Sequence, residues 1–119
     1  MGDLEKLIPV RVASVADLAR IAANIVALGQ VTYIMRFRDD GKIILGLIAV
    51  LRDYYNLYGL PLIYYYVDEK NEHAKGNYML VRVDDRGEHI EFSETTKPGW
   101  IAVPIVNLAS KPTFMPKLL

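Results

Sequence analysis

The sequence of 119 residues contains no cysteine, which excludes disulfide bonds and thiolate metal sites. Its charges cancel, because 14 Lys and Arg stand against 14 Asp and Glu. No global field therefore points to a nucleic-acid or membrane partner. The longest apolar run, Ile43–Leu51, has nine residues, whereas a membrane-spanning helix needs about 20. We therefore expect no membrane-spanning segment.

Other features of the sequence indicate the cellular location, the type of source organism and the number of domains. The first six residues contain acids and one lysine but no basic stretch before an apolar one. We therefore expect no secretory signal and a cytoplasmic location. Gln30 is the only glutamine, and depletion of thermolabile residues is typical of heat-adapted proteins. These observations predict one globular domain over residues 1–119, from a thermophile.

The N-terminal half opens with a helix pattern that is followed by a strand pattern. Ser14 with Asp17 forms a capping-box pattern, and Gly29 is a typical residue just beyond a helix end. This predicts a largely buried helix from Ser14 to Leu28. Strict alternation over 31–38 predicts a half-buried strand. Its expected inward residues are Val31, Tyr33, Met35 and Phe37, and its outward residues are Thr32, Ile34, Arg36 and Arg38.

Residues 42–58 allow two structures. The Asp-Gly pair before them is a hairpin signal between apolar runs. On a helical wheel, however, most of their apolar side chains fall within one half-circle, and Gly59 could end a helix. The pattern favours the helix, with Leu47 facing a sheet and Ala49 facing solvent. The hairpin remains the alternative.

The pattern of the remaining residues predicts several strands and a C-terminal tail. The predicted strands are 62–67, 77–83, 88–93 and 100–106, with a short edge strand within 7–12. Pro104 places the last strand at a sheet edge. This order predicts an α+β fold with a mostly antiparallel sheet packed on or curled around two helices. The apolar, proline-containing tail, about 107–119, should dock on its own domain or on a neighbouring copy.

Residues suited to catalysis or metal binding are few and scattered. His73 and His89 are the only histidines, and no partner at ligand spacing accompanies either of them. The two Asp-Asp pairs lie at turns, where such pairs mostly act as turn formers. No nucleophile motif or phosphate-binding loop is present. We therefore expect no enzymatic activity, no metal and no cofactor.

The placement of basic and aromatic residues is more informative. Acids concentrate in the predicted turns, whereas several arginines occupy outward positions of predicted strands. An uncovered sheet face with arginines and tyrosines suits single-stranded nucleic acid, because bases stack on aromatic rings while cations follow phosphates. The predicted binding residues are Arg36, Arg38, Arg82, Tyr64, Tyr66 and Tyr78. The alternative is an apolar face covered by a partner subunit, with arginines at its rim.

Three stretches together carry a family resemblance: Val31–Arg38, the amphipathic segment after it, and the aromatic run Leu62–Tyr66. Over roughly Ser14 to Val106 the pattern resembles the ThermoDBP-related proteins of thermophilic archaea. The resemblance implies a sheet packed around helices, a cleft with a basic edge, binding of single strands without sequence preference, and self-association. The basic edge would be the three arginines named above, and the stacking groups the three tyrosines. The chain departs from the family in its short tail, which has no long zipper helix, and in its zero net charge.

Three functions are compatible with these observations. The leading hypothesis is a non-enzymatic protein that binds single-stranded DNA or RNA and forms a homo-oligomer. The second is a structural or regulatory subunit whose outer sheet face binds another protein. The third is a small enzyme or ligand-binding domain with a pocket between the second helix and the sheet.

Overall fold

The computed structural model describes residues 9–59, 61–73, 75–113 and 115, except for the side chains of Tyr54 and Tyr58. In chain order its elements are β1 (Val10–Arg11), α1 (Val15–Ala27), β2 (Val31–Asp39), β3 (Lys42–Val50), α2 (Arg52–Tyr58), β4 (Leu62–Asp68), β5 (Tyr78–Asp84), β6 (Gly87–Ser93) and β7 (Ile101–Asn107). Within these described ranges, neither helix has the length and apolar character that a membrane span requires.

The seven strands form one mixed sheet in the order β1-β4-β3-β2-β7-β5-β6, curled into a half-barrel. The pairs β1–β4 and β2–β7 are parallel, and the other neighbours are antiparallel. The α+β class is therefore confirmed. The expectation of a mostly antiparallel sheet is wrong, because the sheet is mixed. β4 pairs in parallel with the earlier strand β1, and β7 pairs in parallel with the earlier strand β2.

Helix α1 lies inside the curl of the sheet. The Ser14 hydroxyl accepts a hydrogen bond of 3.1 Å from the backbone N–H of Asp17, so the predicted cap is confirmed. Gly29 follows the helix with φ +72°, the left-handed conformation that glycine adopts most readily. Leu18, Ala19 and Ala22 are fully buried against the sheet, because their small or apolar side chains allow close packing.

Residues 42–58 do not form the favoured helix. Asp40 and Gly41 both have positive φ values, 52° and 76°, as a tight two-residue hairpin turn requires. Asp39 pairs with Lys42 across this turn. The hairpin alternative is therefore correct, and the only helical part of the segment is α2, which begins at Arg52.

The helical wheel was misleading because β3 is buried on both of its faces. One face, which includes Leu47, packs against α1, and the other, which includes Ile44, belongs to a second core. A strand covered on both sides reads as a continuous apolar run, so its periodicity does not distinguish strand from helix. Gly46 lies opposite Met35, where a Cβ would overlap the methionine side chain.

The second core lies on the side of the sheet that faces away from α1. Its buried members include Met35, Phe37 and Met115. The backbone N–H of Leu108 donates a 2.7 Å hydrogen bond to the carbonyl of Arg36, which ties the start of the tail to β2. The described part of the tail thus docks on its own domain. Phe114 and residues 116–119 lie outside the described residues.

Strand β7 is an inner strand, so the edge position predicted from Pro104 is wrong. Ile101 to Pro104 pair with β5, whereas pairing with β2 begins at Ile105. The N–H of Ile105 donates to the carbonyl of Asn77 on the β5 side. Since successive N–H groups point to opposite edges of a strand, the missing N–H of Pro104 faces β2 just before that ladder begins.

Ala49 distinguishes the hairpin from the helix, because it is fully buried in the α1 core. We expect Ala49→Glu to lower the free energy of unfolding by at least the roughly 2–5 kcal/mol expected for Leu47→Ala, since it buries an unpaired carboxylate. Ala27→Glu, at an exposed helical position, is the control and should cost under about 1 kcal/mol. Urea denaturation measures all three, and a neutral Ala49→Glu would contradict the hairpin.

Candidate functional site

The six sequence-predicted binding residues do not share one face. Ile34 belongs to the α1 core, and side chains two and four residues further along a strand lie on the same face. Arg36 and Arg38 therefore lie on the α1 side of the sheet. Tyr64 and Tyr66 lie there too, because both pack against the α1 core.

Tyr78 and Arg82 lie on the opposite side. Met79 and Val81 face the α1 core, so their neighbours on β5 point away from it. The expected single surface of three arginines and three tyrosines is therefore wrong. The error lies at β2. Its expected inward residues Met35 and Phe37 belong to the second core, on the side of the sheet that faces away from α1.

Arg36 lies at the centre of a polar cluster at the end of β2. It pairs with Leu45, which pairs with Tyr66 on the next strand, so arginine and tyrosine flank one buried leucine. On the other side Arg36 pairs with Asn107 of β7. Nothing in the sequence pointed to Asn107, because it is 71 positions away along the chain and only the β2–β7 pairing brings it close.

The Arg36 guanidinium has two acceptors and one unpaired nitrogen. Nε donates to Oδ1 of Asn107 at 2.7 Å, and Nη2 donates to the carbonyl of Gly76 at 3.0 Å. Nη1 is buried and has no hydrogen-bond partner within the described part of the chain. Burial lowers the pKa of Arg36, and the nearby Glu94 carboxylate opposes this shift. An unpaired buried donor costs free energy, so an acceptor that reached Nη1 would be stabilised there.

Arg36 and Arg38 also line an open depression of about 250 Å³ beside the start of the tail. Its other described lining residues are Phe37, Ile43, Asn107, Leu108 and Ala109. None of these is acidic, so two cations and one amide share the lining with four apolar residues. The volume is below the roughly 300–1,000 Å³ of sites for drug-sized ligands. The depression therefore fits a phosphate or a single base better than a whole cofactor.

The connection from β4 to β5 passes over the α1 side of the sheet next to this cluster. The buried carboxylate of Asp68 accepts backbone hydrogen bonds from Glu72 at 3.0 Å and His73 at 2.6 Å. The His73 ring then lies between Tyr66 and Phe92, with centroid distances of 6.0 and 5.5 Å. His73 is thus held by local packing.

Tyr64 and Tyr66, which the sequence analysis predicts to stack on bases, are only partly accessible beside this connection. Burial raises the pKa of Tyr66, and the Asp68 carboxylate adds to that shift. Tyr64 is partly buried against the α1 core. Neither ring is an open platform for a base in this conformation, because neighbouring side chains already cover both.

A second cation and aromatic cluster lies on the opposite face, around Trp100. The guanidinium carbon of Arg82 lies 5.0 Å from the Trp100 ring centroid, and the Lys97 ammonium lies 5.8 Å from it. Lys97 also forms an ion pair with Glu91, and Arg82 lies 3.9 Å from Asp84. The sequence analysis missed this cluster, although Trp100 is the only tryptophan and follows a Pro-Gly turn.

Acidic neighbours balance the charge at this second cluster. Nε2 of His89 lies 2.9 Å from Oδ2 of Asp84, and this contact with His89 lowers the pKa of the Asp84 carboxyl. Both histidines thus have local partners. Among the residues that the structure describes, no group of three or more His, Asp or Glu side chains could hold a metal ion.

The fluorescence of Trp100 tests whether Arg82 and Arg38 lie in separate clusters. We expect Arg82→Ala to increase acrylamide quenching of its fluorescence and to shift the emission to longer wavelength, because the variant removes a cation that covers the ring. Arg38→Ala, which removes the same charge from the other face, is the matched control and should leave both properties unchanged. Equal spectral changes in the two variants would contradict the placement.

Searches with protein-family models, among curated proteins and among solved structures found no match to this chain. The resemblance to the ThermoDBP-related proteins therefore stays a prediction from the sequence pattern, as does a thermophilic source. Only the geometry of the described residues bears on function.

Proposed function

We propose that the protein binds single-stranded DNA or RNA without sequence preference and without catalysing a reaction. The depression lined by Arg36 and Arg38 carries this proposal, because it places two cations and the Asn107 amide beside apolar residues. Guanidinium groups pair with phosphate oxygens in a fixed fork geometry. Arg38 is the more accessible of the two cations, because it is exposed and Nη1 of Arg36 is buried.

The shape of the site favours a single strand over a duplex. A single strand can place one phosphate on the arginine pair and turn the adjacent base towards the apolar lining residues, such as Leu108 and Ala109. A duplex keeps its bases stacked inside, so these apolar residues would have no partner. Contacts to phosphate read no sequence, which explains why no sequence preference is proposed.

Arg38 provides the sharpest test, because it is exposed and its removal leaves the contacts of Arg36 intact. Arg38→Ala should weaken binding to labelled oligo-dT and oligo-U alike. It should also reduce the slope of log affinity against log salt by about 0.7, the value for one phosphate contact on a single strand. Fluorescence anisotropy at several salt concentrations measures both effects.

Arg82→Ala is the matched control for charge. If the site at Arg36 and Arg38 alone binds the strand, this variant should change neither the affinity nor the salt slope. The same titration therefore tests the prediction from the sequence that Arg82 contacts nucleic acid. Equal losses in Arg38→Ala and Arg82→Ala would indicate general attraction to a polyanion. No binding of any single strand at low salt would contradict the proposed function.

Exposed apolar side chains favour a second function, self-association through a second copy of the chain. Four of them lie on or near α1, β2 and α2: Leu28, Val31, Tyr55 and Leu57, with exposures of 68%, 65%, 45% and 69%. Gln30 links their elements, because its side-chain oxygen accepts a 3.2 Å hydrogen bond from the backbone N–H of Arg52. Exposed apolar surface often marks interfaces, and a net charge of zero does not oppose association of identical chains.

Leu57 provides the test of self-association. We expect the protein to form at least a dimer in light scattering, and Leu57→Glu to shift it towards the monomer because the charge would be buried in the contact. Val83→Glu places the same charge at another exposed apolar residue, which has 60% exposure, and should leave the mass unchanged. A monomeric parent protein at high concentration would contradict self-association.

A further inference from the structure

We propose that the carbonyl of Gly76 is an autoinhibitory group that occupies Arg36 and must move before a phosphate can bind there. This inference rests on the proposed function, because it concerns access to the same site. The moving part is the short segment Lys75–Gly76, which precedes β5. Its displacement would convert a closed site into one that accepts a nucleic-acid backbone.

Competition for one guanidinium is the first argument. Nη2 of Arg36 donates to the Gly76 carbonyl at 3.0 Å, and Nε donates to Asn107. The remaining nitrogen, Nη1, is buried, so a phosphate cannot reach it in this conformation. Withdrawal of the Gly76 carbonyl would free one donor and uncover another, which gives the two parallel donors that a phosphate takes from arginine.

The closed arrangement leaves one buried polar atom unsatisfied. Nη1 of Arg36 is buried without a hydrogen-bond partner among the described residues. Such an atom opposes the state that contains it. Lys75 is exposed, so displacement of this short segment uncovers little apolar surface.

An aromatic ring lies near Arg36 on the same side of the sheet. Tyr66 is in the same row of the sheet as Arg36, with Leu45 between them. Its ring and the His73 ring form a T-shaped pair. A cation beside an aromatic ring is the combination that binds a phosphate and a stacked base together. The Gly76 carbonyl withholds the cation of this pair.

Gly76 can be changed in a way that displaces its own carbonyl. Its φ is +90°, and a Cβ there would lie 2.6 Å from the carbonyl oxygen of Ser93 and as close to other backbone atoms of that residue. Gly76→Ala must therefore shift the Gly76 backbone relative to Ser93, and the 3.0 Å contact of its carbonyl with Arg36 must change with it. Gly99 is the matched control, because its φ is +81° but a Cβ there meets open space.

Hydrogen exchange and oligonucleotide binding together test the inference. Amide exchange near Gly76 should become faster in Gly76→Ala and stay unchanged there in Gly99→Ala. Affinity for labelled oligo-dT should rise at least about fivefold in Gly76→Ala only, because apparent affinity scales with the fraction of molecules in the binding-competent state. Asn77→Ala in a Glu94→Gln background removes the side-chain bond between these residues without freeing a carboxylate near Arg36. Compared with Glu94→Gln alone, it is a milder second variant with the same expected direction.

The outcomes separate this inference from the function on which it rests. Binding of oligo-dT by the parent protein that does not strengthen when exchange is faster in either variant would overturn the autoinhibitory contact and leave the function standing. Absence of oligo-dT binding in the parent protein and in both opened variants would overturn the function itself. Faster exchange with tighter binding in Gly76→Ala, or in Asn77→Ala if the first variant does not fold, would support the inference.

Discussion

The burial of β3 on both of its faces is the constraint on which the rest of this structure depends. A strand with apolar side chains on each side needs a cover on each side. Helix α1 supplies one cover from inside the curl, and the tail supplies the other through residues such as Met115. Because β7 lies beside β2, the tail that follows β7 begins next to β2, where the Leu108 N–H donates to the Arg36 carbonyl. β7 also joins the two parts of the sheet, because it pairs with both β2 and β5.

The position of β7 in turn creates the polar cluster at the end of β2. Its last residue, Asn107, pairs with Arg36, and the tail then begins at Leu108 beside the same arginine. The depression with its two arginines is thus a consequence of how the second face of the sheet is covered. A guanidinium with one buried, unpaired nitrogen is costly in a structural role, and this observation supports the proposed binding role of Arg36.

The two charged clusters differ in a way that bears on function. Around Trp100 each cation has an acidic neighbour, Glu91 for Lys97 and Asp84 for Arg82, so that surface carries little excess charge. At the end of β2 the described lining residues include two arginines and no acid, and the Glu94 carboxylate lies near one of these arginines, Arg36. The two arginines exceed this carboxylate in number, and such a local excess would attract phosphate even in a chain of zero net charge, because exposed charges are screened beyond about 10 Å.

The sequence by itself determined the elements whose signals are local: the Ser14 cap, the end of α1 at Gly29, the strands after residue 61 and the α+β class. It did not determine β3, because a segment covered on both faces satisfies helical and strand periodicity alike. The tertiary structure alone decided which face of β2 meets α1, and hence that Arg36 and Arg82 lie on opposite sides. Asn107 and Gly76 reach Arg36 through strand pairing and a connection distant in sequence, and no local pattern encodes such contacts.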